Sequence, residues 1–179
     1  MAETSPVFVR SNPRVLGHDP GLGHPESAQR VQVILDVLEP GAAGRWTVDR
    51  QAAVPTDEDV LGVLKWIHDE DYIERVRAVS NEGHGWLDTH DCRVSPETFD
   101  SAVAAAGLAM NAALDLANRR LDRAFIVLRP PSHHAERDSA RGYCFFNSVA
   151  VAAEVVVGSL GEPVVIVDFD AHHGNGTQK

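Results

Sequence analysis

Residues 164–178, Val164-Val165-Ile166-Val167-Asp168-Phe169-Asp170-Ala171-His172-His173-Gly174-Asn175-Gly176-Thr177-Gln178, constrain this chain more than any other stretch. A continuous apolar run, opened by Pro163 and closed by acidic residues, predicts a buried parallel strand whose carboxyl end carries the chemistry. Side chains alternate at period two, so Asp168, Asp170 and His172 share one face if the backbone stays extended through them. Two carboxylates and an imidazole suit zinc or a similar divalent ion, and open α/β sheets hold their sites at the carboxyl ends of strands. The alternative is a set of loop polar groups beside a turn at Gly174 and Gly176. Unpaired charge at the end of a core strand is costly and demands a partner, which favours the ligand reading.

With 179 residues, 44% apolar and 23% charged, the chain is long enough for one domain with a substantial core. A formal charge of -10, from 16 basic and 26 acidic residues, argues against direct nucleic-acid binding and suits a cationic ligand better. Cys92 and Cys144 form no disulfide framework, which predicts a reducing, cytoplasmic compartment. The first residues, Met1 to Pro6, lack a basic region and an apolar core, and no run of 18 apolar residues occurs, so neither export nor a membrane span is expected.

Along the chain, Val7-Phe8-Val9-Arg10 reads as a first strand, followed by a loop that His18, Asp19 and His24 can order. Pro25 at the first helical position, Glu26 in the first turn and an apolar face at helical spacing predict a helix that Pro40-Gly41 stops. Arg45-Trp46-Thr47-Val48 is the next strand. Thr56 with Asp59 resembles a capping box for a helix, and a shorter helix covers residues 71–79, with His68-Asp69 between them as a helix-end histidine and a capping aspartate or, alternatively, as catalytic groups. Residues 81–94 read as a polar loop rimming a binding site; His84, His90, Asp88, Asp91 and Cys92 fit no zinc spacing. Ser95-Pro96 starts the longest helix, to about Ala117, with a close-packing face of Ala102, Ala105, Ala106, Ala109 and Ala113. Residues 124–128 form a buried strand, and Asn147 caps a helix over residues 148–157. Strands alternating with helices imply a three-layer α/β fold, a parallel sheet with helices on both faces.

Arg129-Pro130-Pro131-Ser132-His133-His134 leaves the carboxyl end of the 124–128 strand, on the same sheet edge as Asp168, Asp170 and His172. Joined there, the two groups point to a metal-assisted hydrolase in which an ion polarises a carbonyl and a histidine handles protons. Such an imidazole must be held in one tautomer, and Asp168 and Asn175 are the available holders.

Three segments carry a family resemblance: His24-Pro25-Glu26-Ser27 with Arg30; Arg129 to Ala135 with Gly142-Tyr143-Cys144-Phe145-Phe146-Asn147; and Val167 to Gln178. Together they resemble the histone deacetylase and acetylpolyamine amidohydrolase superfamily, with Asn175 as in class II and bacterial members. The resemblance implies an arginase-like α/β fold, truncated here, with residues 1–179 the amino-terminal portion of a single catalytic domain. It implies Asp170 and His172 as ligands of Zn2+, with Fe2+ the alternative, and His133 and His134 as the catalytic pair. His134 would be the base and acid partnered by Asn175, and His133 an electrostatic aid steadied by Asp168. Gly142 and Tyr143 would line a channel for an acetylated lysine or polyamine, Asp88 and Asp91 would rim it, and Asp168 with nearby backbone oxygens resembles a structural K+ site.

Ser132 stands where the family usually has Gly, and Tyr143 where Phe is common. The family's third zinc ligand, an Asp, and its oxyanion-stabilising Tyr would both lie beyond Lys179. Three protein ligands are usual for catalytic zinc, and one oxyanion donor is commonly worth ~2.7 to 4 kcal/mol. The 179-residue chain alone is therefore expected to bind zinc weakly, turn over little and self-associate through uncovered apolar surface. Two other readings remain: a catalytically inactive truncated relative acting as a ligand- or partner-binding module, and a dinuclear manganese hydrolase of the ureohydrolase type. The latter is disfavoured because a second His and a Gly follow His172.

Overall fold

The computed structural model describes residues 5–39, 45–83 and 85–179. In chain order its elements are strand β1 (Val7–Arg10), a short 3-10 helix (Pro13–Leu16), helix α1 (Ala28–Leu38), β2 (Trp46–Asp49), α2 (Asp57–Ile67), α3 (Glu70–Glu82), β3 (Gly85–Trp86), β4 (Arg93–Val94), α4 (Thr98–Ala117), β5 (Ala124–Ile126), α5 (Ser148–Leu160) and α6 (Asn175–Gln178). No helix among the described residues is long and apolar enough to cross a membrane. The expected stop at Pro40-Gly41, the opening Met1 to Thr4 and His84 lie outside the described residues.

Strand β1 is the middle of a parallel sheet ordered β2-β1-β5. Period-two alternation divides its side chains between two layers. Val9 is buried with Val31 and Leu35 of α1 and with Val127, whereas Arg10 points the other way and pairs with Asp115 of α4 at 2.7 Å. On that second face Ile126 and Leu128 pack against Ala104, Ala105 and Leu108 of α4. Helices therefore cover both faces, as the strand-helix alternation requires. The five alanines expected to allow close packing are all buried, and α4 lies directly against α5.

Local signals account for two helix starts. Thr56 accepts the Asp59 N–H at 3.2 Å, and Asn147 Oδ1 accepts the Ala150 N–H at 3.0 Å, so both expected caps form. Two starts are corrected. Helix α1 begins at Ala28, with Ser27 as its extended N-cap residue, because Glu26 is drawn into the core by Arg129 instead of joining the first turn. Helix α4 begins at Thr98, because the Ser95 hydroxyl accepts the Asp19 N–H at 3.0 Å instead of capping a helix. The loop after β1 is ordered as expected, with His18 Nδ1 2.7 Å from the Thr98 hydroxyl. Helix α3 runs beyond residues 71–79 at both ends, and the segment read as a polar loop contains the antiparallel pair β3-β4.

The largest correction concerns residues 164–167. They form no strand, and Val165 and Val167 are 85% and 77% exposed. Val164 and Ile166 lie beside β5 and α5 across an apolar groove of about 480 Å³. Among the described residues, no backbone hydrogen bond joins this run to β5. Apolar composition encodes a preference for burial, but a strand also needs a neighbouring backbone at ladder distance.

Candidate active site

The site begins where β5 ends. Arg129, 2% exposed, donates from Nε and Nη2 to the two carboxylate oxygens of Glu26 at 2.7 Å each, and from Nη1 to the Val15 and Leu16 carbonyls at 3.2 and 3.3 Å. This pair ties the exit of β5 to the segment before α1, so the chain reaches His133 and His134 from a fixed point.

The second half of the site curls instead of running straight. Asp168 Oδ1 accepts the Asp170 N–H at 3.1 Å, and Asp170 Oδ1 accepts the His172 N–H at 2.8 Å. Two successive Asx turns thus bring Asp170 and His172 to one cavity, where pleat alternation was expected to do so. Helix α6 then docks on the histidine segment: the Gly176 and Thr177 N–H groups both donate to the His133 carbonyl, at 2.9 and 3.2 Å. A Cβ on Gly176 would fall 2.1 Å from the Ala135 carbonyl oxygen, so only glycine allows this approach.

The structure brings the expected residues together. His133 Nδ1 donates to Asp168 Oδ2 at 2.8 Å, and that contact, first among several, holds the Asp168 carboxyl below the usual range. His134 Nδ1 lies 2.6 Å from Asn175 Oδ1. The two histidine rings are 4.1 Å apart, and the His172 ring is 6.0 Å from that of His134. All of these except Asp168, with Gly142, Tyr143 and Asp170, line a cavity of about 470 Å³. Gly142 adopts φ +54, and a Cβ there would fall 2.2 Å from His134 Cδ2, so its bare backbone forms the wall against that ring. Of the two rim aspartates, Asp91 lines the cavity and accepts the Gly142 N–H at 3.0 Å. Asp88 instead holds Arg75 and the Ala140 N–H.

Asp170 Oδ1 and His172 Nδ1 stand 3.1 Å apart on the cavity side of the His133-His134 couplet. The His172 backbone N–H, first, and its ring keep the Asp170 carboxyl below the usual range, so it is an anionic oxygen donor. One oxygen and one nitrogen donor fit two positions of zinc or a similar divalent ion. Among the described residues no group of three His, Cys, Asp or Glu side chains converges to hold a metal. Burial pushes the Cys92 and Cys144 thiols up to about 11 and about 12, so neither is a nucleophile at neutral pH.

Several supports carried no readable signal. His68, read as a helix-end histidine, is fully buried; its ring sits 2.8 Å from the Glu136 carbonyl, and Nε2 accepts the Asn147 N–H at 3.0 Å. Asn147 also donates to the Thr177 hydroxyl at 3.1 Å, joining α5 to α6. Glu136 accepts from Asn175 Nδ2 at 2.7 Å. These partners lie 30 to 79 positions apart in sequence, beyond the reach of local pattern.

Comparison with known proteins places this arrangement. A histone deacetylase domain model matches residues 24–179. The histone deacetylase-like amidohydrolase of Pseudomonas aeruginosa is 39% identical over 155 residues, covering 86% of this chain and 39% of its own. A probable deacetylase of Archaeoglobus fulgidus is 32% identical, covering 92% of this chain and 45% of its own. The crystal structure of the HDA15 HD domain superposes with a TM-score of 0.85 at 32% identity, over 98% of this chain and 50% of that one. The chain thus spans half or less of the length of these relatives, and the fold is the arginase/deacetylase-like α/β fold. On the family match and the shared fold together, the chain belongs to the histone deacetylase family.

Proposed function

We propose that this chain supplies the histidine-couplet half of a deacetylase centre that hydrolyses the amide of an acetylated lysine or polyamine to the free amine and acetate. The observation that carries this reading is the pair of oriented imidazoles, His133 on Asp168 at 2.8 Å and His134 on Asn175 at 2.6 Å, beside the Asp170-His172 donor pair. Asp170 and His172 would hold a divalent ion, Zn2+ or Fe2+, each supplying one donor. When bound, such an ion polarises the amide carbonyl and acidifies a water. His134 takes a proton from the attacking water and returns it to the leaving amine nitrogen, while Asn175 keeps its ring in register. His133, steadied by the Asp168 carboxylate, aids charge development in the transition state. Gly142 and Tyr143 flank the aminoalkyl chain, and the acidic rim at Asp91 suits a cationic substrate.

Acetate release from an acetyl-lysine peptide and from an acetylated polyamine tests this in the natural gene product carrying this sequence. The expected outcome is turnover of one or both, loss on chelation and recovery when zinc is returned. Chelator-insensitive turnover contradicts the metal reading, and no acetate from either substrate contradicts the deacetylase reading.

The donor count favours a second reading for the 179-residue chain by itself, a ligand- or partner-binding module without turnover. Calorimetric titration with an acetyl-lysine peptide separates the two: binding without acetate release supports this reading, and release by the 179-residue chain removes it.

A further inference from the structure

Glu136 follows the histidine couplet by two positions and has no part in the reaction described above. Its side chain is 12% exposed. Oε1 accepts from Asn175 Nδ2 at 2.7 Å, Oε2 accepts from Lys179 Nζ at 2.5 Å, and Arg141 Nε stands 3.7 Å from Oε1. The Lys179 ammonium foremost, against the opposing effect of burial, holds the Glu136 carboxyl below the usual range. An ionised carboxylate has no hydrogen to give, so the Asn175 amide must turn its NH2 toward Glu136 and its oxygen away. That oxygen meets His134 Nδ1 at 2.6 Å and can only accept. The proton of neutral His134 therefore sits on Nδ1, and the lone pair is left on Nε2. Asn175 Nδ2 also reaches the His134 carbonyl at 3.3 Å, a longer contact with a neutral acceptor that the charged one outweighs.

We propose that Glu136 is a positioning residue: by deciding which way the Asn175 amide faces, it sets the tautomer in which His134 presents an unprotonated Nε2 to the reaction. The catalytic consequence rests on the deacetylase reading; the tautomer does not.

The sharpest variant is Glu136→Gln, because the Lys179 ammonium beside Oε2 favours the side-chain oxygen over an NH2 there. The Gln oxygen goes to the ammonium, its NH2 turns to Asn175, and the Asn175 amide flips to offer NH2 to His134 Nδ1. Nitrogen-15 NMR of histidine-labelled natural gene product reads the tautomer directly. The expected result is His134 with Nδ1–H in the wild type and Nε2–H in Glu136→Gln, with kcat down tenfold or more and KM little changed. Asn175→Asp replaces the amide by a group that accepts whichever way it turns, so in that background Glu136→Gln is expected to leave tautomer and kcat where they were. A merely structural Glu136 would cost the same in both backgrounds. Should Glu136→Gln not fold, Glu136→Ala is read the same way, with mixed tautomers expected. Unchanged His134 signals in a folded variant, or an equal penalty in both backgrounds, overturns the proposal. A tautomer switch in a protein that releases no acetate supports it while removing the deacetylase reading.

Discussion

The carboxylate of Glu26 grips the guanidinium of Arg129 through two hydrogen bonds of 2.7 Å, with both side chains almost fully buried. Removing one partner of such a pair leaves an unpaired buried charge, at a cost of roughly 3 to 5 kcal/mol. Glu26→Ala is therefore expected to lower the denaturant midpoint strongly, and Glu26→Ala with Arg129→Met to recover part of the loss. Denaturant melts of the single and double variants check this; equal losses in both contradict it.

Acid should weaken the fold through two buried histidines. Burial foremost lowers His18, against the pull of Glu26, and lowers His68, each to about 4. Both are neutral when folded and take up a proton on unfolding, at their ordinary value of about 6.5. Their contribution is complete above about pH 6.5 and falls as pH drops toward about 4, by on the order of 3 kcal/mol for each as an upper bound. Urea midpoints measured between these limits should decline, and His68→Gln should flatten the decline. A midpoint independent of pH over this range contradicts the assignment.

Gly142→Ala should damage activity more than stability. The new Cβ meets the His134 ring and the backbone keeps a positive φ, a strain of roughly 1 to 3 kcal/mol. Acetate release by the natural gene product is expected to fall tenfold or more with a modest loss of melting temperature. Full activity in Gly142→Ala contradicts the placement of His134 against this wall.

Val165, Val167 and Phe169 are exposed by 85%, 77% and 95%, so the 179-residue chain on its own should self-associate. Sedimentation velocity is expected to show a concentration-dependent shift that Val165→Lys with Val167→Glu reduces. A monodisperse monomer at all concentrations contradicts this.

Much of the fold was legible because its signals are local. Thr56 and Asn147 cap the helices they precede, and the buried alanines of α4 mark a close-packed face. His133 and His134 do approach Asp170 and His172, as expected, but the strand end expected to deliver the second pair is absent and Asx turns deliver it instead. What composition could not convey was partnership. Residues 164–167 have the letters of a core strand but no ladder partner among the described residues, and Glu136 looks like any loop acid until Asn175 is placed beside it. The Asx turns of Asp168 and Asp170 replaced the expected alternation because short carboxylates bond their own backbone readily.

The central claim is that the histidine couplet and the Asp170-His172 pair serve one hydrolytic centre. Single-turnover acetate release from an acetyl-lysine peptide or acetylated polyamine, compared among the natural gene product, His134→Ala and Asp170→Asn, tests it most directly. The account predicts that each substitution slows release at least a hundredfold while the fold is retained. Release at the unsubstituted rate in either variant contradicts it.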